Sequence, residues 1–388
     1  MHCALLIAKR LYGHDETTRV ARPAVRVASI GVAVGVAIML VTIGVSLGFK
    51  HTIRDKVLAM HGDIQVLCFR SLSSQESYPI LMDDTAMTVI KGCGDVVRTE
   101  RYVSKAGMLR TGSAFHGVQL VGTEGADSTL ALSQMLARRL QVSVGDKLDA
   151  YFFERTIRAR RFEVERLYAT HMEEFDNRMV LAPYDVVHKL TGWAEEECSG
   201  VRIFTDGRRD AKDVAYDISR ALSPYSLDRE YVVVTADELS PQVFAWLTLL
   251  DTNVWIILAL MLCVASFTMM SGLLILILEH TPMVALLKSV GATDGFVRSV
   301  FLHLATMIMM RAMLWGNIVG LVLLAVQHFG KVVTLNPAEY YIDVVPVEWS
   351  WGWFAVTNVA TLAIAVLALM LPALVVPRIR PAAAMRIE

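Results

Sequence analysis

Four long apolar stretches constrain the fold of this chain more than any other feature. Residues 27–49, 252–278 and 349–377 contain no Asp, Glu, Lys or Arg, and residues 299–328 contain only one such residue. About 20 helical residues cross the roughly 30 Å hydrocarbon layer of a membrane, so each stretch is long enough to span it. Residues 50–248 have the composition of an ordinary globular domain. The sequence predicts an α-helical membrane protein with four transmembrane helices and an α+β domain inserted between helices 1 and 2.

Composition excludes several other classes of protein. Hydrophobic residues make up 54% of the 388 residues, which excludes a disordered chain. The net charge of −1 gives no support to nucleic-acid binding. Five cysteines in this length set no disulfide framework. Cys68, Cys93 and Cys198 in the inserted domain allow either one disulfide with a spare thiol or three free thiols.

The distribution of charge predicts how the spans are oriented. Ten Lys and Arg residues and five Asp and Glu residues lie in residues 1–26, 279–298 and 378–388 taken together. Residues 329–348, in contrast, contain one Lys and three Asp or Glu residues. Loops rich in Lys and Arg stay in the cytoplasm. We therefore expect cytoplasmic termini, a cytoplasmic 279–298 loop and an inserted domain on the outer side of the membrane.

The first span could instead be a cleaved signal peptide, because a basic segment precedes it. Its apolar run is longer than the 7–15 residues of a signal peptide, and no clear cleavage site follows. Two Gly-x3-Gly pairs, Gly31 with Gly35 and Gly44 with Gly48, predict close packing of this helix on a partner.

Arg311 is the one ionised side chain in the third span, where a buried charge is costly. Two interpretations remain open. The side chain either extends toward the inner surface beside His303, or it faces a polar cavity or a partner helix.

The inserted domain mixes strands and helices without the alternation of a doubly wound sheet. Residues 129–140 are predicted as an amphipathic helix and residues 147–153 as a strand. The first span continues as a helix to about Met60, and a helix from about Pro241 leads into the second span. Such helical stalks can pass motion from the membrane to the domain.

The sequence contains little that indicates catalysis. It has no phosphate-binding G-x4-G-K-[ST] loop, no H-E-x-x-H and no G-x-S-x-G. His171, Glu173, Glu174 and Asp176 lie close together, but their spacing fits no defined metal site and favours a solvated turn. We expect no catalytic residue, no metal and no cofactor bound by this chain.

The 279–298 loop predicts a short helix between two spans. Thr281 is a suitable N-cap, and Gly291 stands where a left-handed residue would end the helix. Val284, Leu287 and Val290 would form one apolar face. That face either lies on the lipid surface or docks a cytoplasmic motor subunit.

The order of one span, a large outer domain and three spans resembles the mechanotransmission (type VII) ABC permeases. Within these, the chain is most similar to LolC/LolE-type subunits of lipoprotein-releasing systems. The resemblance covers nearly the whole chain and is clearest in five segments: residues 29–35 with 48–49 and 54–58, residues 136–147, residues 279–281 with 287–293, residues 340–348 (YYIDVVPVE) and residues 381–386. Met283 and His280 depart from the acidic residue and the arginine common there, and Gln141 replaces a glycine.

The resemblance implies a mechanism and a set of partners. Two permease subunits, alike or paralogous, would pair in the bacterial inner membrane above a LolD-type ATPase dimer that holds ATP and magnesium. The complex would extract lipoproteins from the outer leaflet and pass them to a periplasmic carrier. The positions implied for ATPase coupling are Glu279, Thr281, Val284, Leu287, Lys288 and Gly291. The positions expected to face lipid or substrate are Val41, Val45, Met261 and Ala265.

Other functions fit the same architecture. The chain could export macrolides or peptides, or it could be a mechanotransducer that regulates a periplasmic hydrolase. A membrane enzyme with an outer active site has no catalytic constellation in its favour.

Overall fold

A computed structural model describes most of the chain. The described residues are 6–7, 21–74, 76–111, 114–124, 130–153, 157–225 and 231–373. They form two compact units. We call the first the membrane unit; it consists of Met1–Lys50, Trp246–Thr334 and Val344–Glu388. The second, the globular unit, consists of His51–Ala245 and Leu335–Asp343. The tail segment at 381–386, one of the five that carry the resemblance, lies outside the described residues.

Within the described residues, four helices are long and apolar enough to cross a membrane. Membrane helix 1 is Ala21–His61, helix 2 is Pro241–Glu279, helix 3 is Asp294–Gly330 and helix 4 is Trp351–Ala373. At 1.5 Å per residue, the 41 residues of helix 1 are about 60 Å long, roughly twice the hydrocarbon thickness. Helices 1 and 2 therefore extend well beyond any bilayer.

Membrane helix 1 packs closely against helix 2 through small residues. A Cβ atom added to Gly31 would lie 2.8 Å from Cγ2 of Thr268, and one added to Gly272 would lie 2.7 Å from the Cβ of Ala28. Gly35 faces Ala265 at ordinary contact distance. The close packing predicted at Gly31 is confirmed, whereas the contact at Gly35 would also accommodate a Cβ atom; the partner is a helix of the same chain.

A second close contact joins helix 1 to helix 3. A Cβ added to Gly316 would lie 2.5 Å from the carbonyl oxygen of Ala33, and one added to Gly320 would lie 3.2 Å from the Cα of Ala37. Large side chains such as Leu40 fill the space beside these glycines and are fully buried. Helix 1 is thus approached by glycine-bearing helices on two sides.

Membrane helices 3 and 4 are joined by a pair of amides. Asn317 donates to the side-chain oxygen of Asn358 at 2.7 Å, and Asn358 donates back at 2.9 Å. Each amide also donates to a backbone carbonyl one turn earlier in its own helix. The reciprocal pair satisfies polar groups that would be costly to expose to lipid.

The globular unit is built on a mixed sheet of ten strands among the described residues. The bounds of its strands are β1 Ile64–Cys68, β3 Val96–Thr111, β4 Ala114–Thr123, β5 Ala131–Ser133, β6 Lys147–Phe153, β7 Ile157–Glu163, β8 Arg166–Tyr168, β9 Met179–Pro183, β11 Gly200–Thr205 and β12 Tyr231–Thr235. The order is β12-β1-β11-β3-β4-β9-β5-β8, with β6 paired to β3 and β7 paired to β6. Two short strands, β2 (Ile80–Leu81) and β10 (Glu197–Cys198), form a separate ladder.

Helices cover this sheet and complete its core. Their bounds are Asp84–Gly92, Gln134–Leu140, Glu173–Asp176, Tyr184–Thr191, Ala211–Leu222 and Ala236–Leu239. Ile90 and Ile218 from two of the helices are fully buried against strand residues such as Ile64 and Ile203. The α+β prediction for the inserted domain is confirmed.

The helix predicted at residues 129–140 is wrong in its first part. Residues Ala131–Ser133 form a strand because they pair with Arg166–Tyr168, and the helix begins at Gln134. Ser133 caps it by accepting the N–H of Leu136 at 3.0 Å. The strand predicted at residues 147–153 is confirmed.

A buried cation lies within the sheet. The guanidinium of Arg202 stacks on the ring of Tyr102, 4.8 Å from its centroid, and donates to the hydroxyl of Thr123 at 3.3 Å. Burial lowers the pKa of Arg202, and burial raises the pKa of Tyr102 to about 12. The ring therefore stays neutral and offers its face to the cation.

We expect the contact between helices 1 and 3 to be intolerant of one methyl group. Gly316→Ala should lower the free energy of unfolding by about 1–3 kcal/mol, although alanine alone favours a helix by about 1 kcal/mol. Gly352→Ala is the matched control, because a Cβ there meets nothing within 4 Å. Thermal unfolding of the full chain in detergent measures both. Equal stability of the two variants would contradict the close packing.

Candidate functional site

The 279–298 loop contains a short helix, Thr281–Ser289, which we call the loop helix. It ends at Gly291, whose φ of +95° is the left-handed conformation that favours glycine. Gly291 donates to the carbonyl of Lys288 at 3.0 Å, and Ala292 donates to that of Leu287 at 2.9 Å. This pair of bonds is the Schellman motif, so the predicted helix end at Gly291 is confirmed.

The start of the loop helix differs from the prediction. Thr281 is the first helical residue, and His280 occupies the N-cap position without a side-chain cap bond. The hydroxyl of Thr281 instead donates to the carbonyl of Leu278 at 2.6 Å. Membrane helix 2 continues to Glu279, so Thr281 still lies over its last turn and satisfies a carbonyl there.

The apolar face predicted from Val284, Leu287 and Val290 is divided by the structure. Val284 is fully buried in the core of the membrane unit, and Leu287 is half-buried against that core. The outward apolar side chains are Leu286 and Val290, which are 65% and 83% exposed. They stand four residues apart and form the outer face of the loop.

Charged residues hold the loop helix in place. The ammonium of Lys288 lies 2.8 Å from a carboxylate oxygen of Asp294, the first residue of membrane helix 3. The Lys288 side chain is only 11% exposed, so this ion pair is better shielded than a surface pair. Glu279 is half-buried at the end of helix 2. Lys288 thus serves the loop's own structure.

An apolar groove runs along membrane helix 1. It encloses about 530 Å³. Its lining residues come from helices 1 and 3 and are Ile30, Ala33, Val34, Ala37, Ile38, Val41, Thr42, Val319 and Leu323. One side of the groove is open, so hydrocarbon or another helix could cover it.

The residues predicted to face lipid are found in different places. Val41 lines the groove. Val45 and Met261 are half-buried against the core of the membrane unit. Ala265 is fully buried where helix 2 meets Gly35 of helix 1. The structure therefore brings only Val41 of the four to this groove.

Arg311 lies on the exposed side of membrane helix 3. Its neighbours Met310 and Leu314 are also exposed, 58% and 60%. His303 is bonded within its own helix, with Nδ1 2.6 Å from the carbonyl oxygen of Ser299. Arg311 is therefore on the outside of this four-helix unit, and both interpretations of its role stay open.

The segment from His171 to Asp176 is solvated only in part: Glu173 is exposed as predicted, whereas Asp176 is buried. Asp176 is 3% exposed and accepts the N–H groups of Thr170 and His171 at 3.1 and 3.0 Å. It also accepts the Thr170 hydroxyl at 2.7 Å. Across the described ranges no group of three or more His, Cys, Asp or Glu residues is placed to hold a metal ion.

The cysteines of the globular unit are free thiols. Cys68 and Cys198 are buried, and Cys93 is half-buried. Burial raises the pKa of Cys198 to about 12, which keeps it in the unreactive thiol form. Of the two predicted alternatives, the structure has three free thiols.

The chain is similar to several characterised permeases. Residues 255–381 match the family model of the FtsX-like permease C-terminal domain. The chain is 25% identical to the lipoprotein-releasing system transmembrane protein LolC of Xylella fastidiosa, with 92% of each chain covered. It is 21% identical to LolE of Haemophilus influenzae, with 91% of this chain and 92% of that protein covered.

Two solved structures have weaker similarity to this chain. The periplasmic region of MacB from Actinobacillus actinomycetemcomitans has a TM-score of 0.34 at 10% identity and covers 48% of this chain and 95% of that one. The extracellular domain of YknZ from Gram-positive bacteria has a TM-score of 0.32 at 13% identity, covering 44% and 99%.

The residues that match the FtsX-like permease model include the loop helix and membrane helix 3. The similarity to LolC and LolE proteins extends through the inserted domain to more than nine-tenths of the chain. Over more than nine-tenths of its length the chain is therefore similar to LolC/LolE-type ABC permeases. The resemblance seen in the sequence motifs is confirmed.

Proposed function

We propose that this chain is the membrane subunit of an ATP-driven complex that extracts lipoproteins from the outer leaflet of the bacterial inner membrane. The complex would pass them to a periplasmic carrier. The observation that carries the proposal is the similarity over nearly the full chain to relatives named as lipoprotein-releasing proteins. A second permease subunit and an ABC ATPase dimer complete the complex.

The proposed orientation has cytoplasmic termini, a cytoplasmic 279–298 loop and a periplasmic globular unit. The excess of Lys and Arg in the terminal segments and the 279–298 loop supports it. An aromatic cluster at the start of membrane helix 4 also supports it. The rings of Trp349 and Trp351 are stacked with their centroids 6.3 Å apart, and the ring of Trp353 lies edge to face with that of Trp255, also with 6.3 Å between centroids. Tryptophan favours the membrane–water interface.

We assign ATPase docking to the outer face of the loop, Leu286 and Val290. Two large apolar side chains exposed beside a charged loop favour coverage by another protein. The glycine terminus and the Lys288–Asp294 ion pair hold this face rigid, so a push on it moves membrane helices 2 and 3. ATP and magnesium would be bound by the ATPase, and this chain would contribute no catalytic group.

The groove along membrane helix 1 is the proposed path of the acyl chains. Its lining is almost wholly apolar and includes Val41, so it suits hydrocarbon. The second permease subunit would close its open side. Membrane helices 1 and 2 then carry motion outward, because both continue without a break beyond the bilayer and are clamped together by Lys50 with Asp251 and by Phe49 with Trp246.

Reconstitution tests the function. Proteoliposomes holding this permease, its partner subunit and its ATPase should release a triacylated lipoprotein to a soluble carrier when ATP is added. The same lipoprotein without its acylated cysteine is the control and should show no ATP-dependent transfer. Failure to release the acylated protein, with ATP-driven transport of a macrolide or peptide instead, would favour the exporter alternative.

If the ATPase docks on the outer face of the loop, a charged substitution on that face should weaken ATPase binding without unfolding the permease. Val290→Asp and Leu286→Asp should each weaken co-purification of the ATPase by roughly tenfold or more, since burying such a side chain contributes about 1.5–3 kcal/mol. Leu286→Met, which keeps an apolar side chain of similar size on the same face, is the matched control and should retain ATPase binding. The folded state of each variant is checked by its thermal unfolding. Full ATPase recovery with both aspartate variants would reject this docking face.

Orientation is tested with one engineered cysteine on each side of the membrane. Tyr216→Cys replaces a side chain that is 70% exposed in the globular unit, and Gly295→Cys lies beside the loop helix. A membrane-impermeant maleimide added to intact spheroplasts should label Tyr216→Cys at once and Gly295→Cys only after permeabilisation. Labelling of the parent chain, which has only its own cysteines, measures the background signal. The reverse pattern would overturn the orientation.

A further inference from the structure

The chain enters the globular unit twice. The first passage, His51–Ala245, is the inserted domain. The second passage is Leu335–Asp343, a short segment of the connection between membrane helices 3 and 4. We call it the strap. The globular unit is therefore joined by covalent chain to all four membrane helices and not only to helices 1 and 2.

The two ends of the strap are held together by a hydrogen-bonded ladder. Val345 donates to the carbonyl of Val333 at 3.2 Å, and Leu335 donates to that of Asp343 at 2.9 Å, with Thr334 paired to Val344 between them. The side chain of Gln327, in the last turn of helix 3, donates to the carbonyls of Val333 and Val345, both at 3.1 Å. This ladder makes the connection stiff.

Tyr341 of the strap packs into an apolar cluster with Val57, Met172 and Phe175, and Val57 is fully buried. Val243 and Phe244 complete the cluster. The members come from the last turns of membrane helix 1, the first turn of helix 2 and the segment at 170–176. One cluster thus gathers both stalks and the strap.

Lys56 fixes the strap by hydrogen bonds to backbone. Its ammonium donates to the carbonyl of Tyr341 at 2.7 Å and to that of Thr170 at 3.2 Å. Tyr341 has a φ of +61°, a left-handed conformation that turns its carbonyl within the strap. Beside it, Nε2 of His171 lies 3.6 Å from a carboxylate oxygen of Asp343.

We propose that the strap is a third mechanical connection through which membrane helices 3 and 4 drive the globular unit, and that Lys56 is the positioning residue that holds it to the first stalk. The consequence for transport rests on the proposed function, whereas the docking of the strap does not. Lys56 would raise the yield of lipoprotein per ATP without touching ATP or the acyl chains.

The test uses the full complex with three variants. Lys56→Met removes the donor at similar length, Lys56→Arg keeps a donor, and Arg54→Met removes an exposed cation from the same helix as the matched control. A benzophenone amino acid at position 341 reports docking by photo-crosslinking to residues 57–60 or 172–175, read by mass spectrometry. Lipoprotein released per ATP hydrolysed reports coupling.

Lys56→Met should lower the crosslink yield and the released lipoprotein per ATP by about fivefold each, the shift expected on losing one such hydrogen bond. The ATPase rate should stay at the wild-type value, and the melting temperature should fall by only about 2–4 °C, the effect of one hydrogen bond. A merely structural role would lower the ATPase rate together with a larger loss of stability. Lys56→Arg should restore both readouts, and Arg54→Met should change neither.

Three results would overturn the inference. The crosslink could persist in Lys56→Met, the coupling ratio could stay at the wild-type value after the crosslink is lost, or the ATPase rate and stability could fall together with both readouts. If the wild-type complex forms the crosslink but releases no lipoprotein, the proposed function fails while the docking of the strap by Lys56 is still judged by the crosslink.

Discussion

The close packing of membrane helix 1 is the interaction on which the rest of the membrane unit depends. In lipid no hydrophobic force drives helices together, so contact distance and hydrogen bonds decide how they associate. Gly31 and Gly272 bring helices 1 and 2 together, and Gly316 brings helix 3 against the backbone of helix 1. The reciprocal hydrogen bonds between Asn317 and Asn358 then hold helix 4 against helix 3. Helix 1 itself continues without a break from these contacts to His61, which belongs to the globular unit.

The sequence predicted the features of this unit that depend on local composition. A run without charge identifies a span by itself, and Gly31 and Gly35 indicated a close contact. The partner of that contact could not be predicted, because any small residue on another helix would have served. Gly316 and Gly320 show the same spacing but lay within an apolar run already explained as a span. Asn317 and Asn358 are 41 residues apart, and nothing in either local sequence indicates that they meet.

For the loop helix, the local sequence predicts where the helix ends but not which of its faces is exposed. Gly291 ends the helix as predicted, because a left-handed terminus depends on the residue itself. The exposed face was predicted wrongly, since spacing groups Val284 with Val290 but cannot say which side the start of membrane helix 3 covers. Val284 packs inward, and Leu286, which was not predicted, points outward. The strand at Ala131–Ser133 was missed for the same reason, because its partner, Arg166–Tyr168, is distant in sequence.

The segment YYIDVVPVE at 340–348 carried much of the family resemblance although it contains no recognisable chemistry. The structure offers a physical reason for the particular sequence of this segment. Its first half, with Tyr341 and Asp343, belongs to the globular unit, and its second half belongs to the membrane unit. There Pro346 lies so close to Gly48 that a Cβ would fall 2.9 Å from its backbone, and Glu348 donates its N–H to the carbonyl of Gly44 at 3.0 Å. The segment therefore fixes where the chain crosses from one unit to the other, and that role depends on backbone contacts and packing, which explains why a segment without reactive side chains can identify the family it resembles.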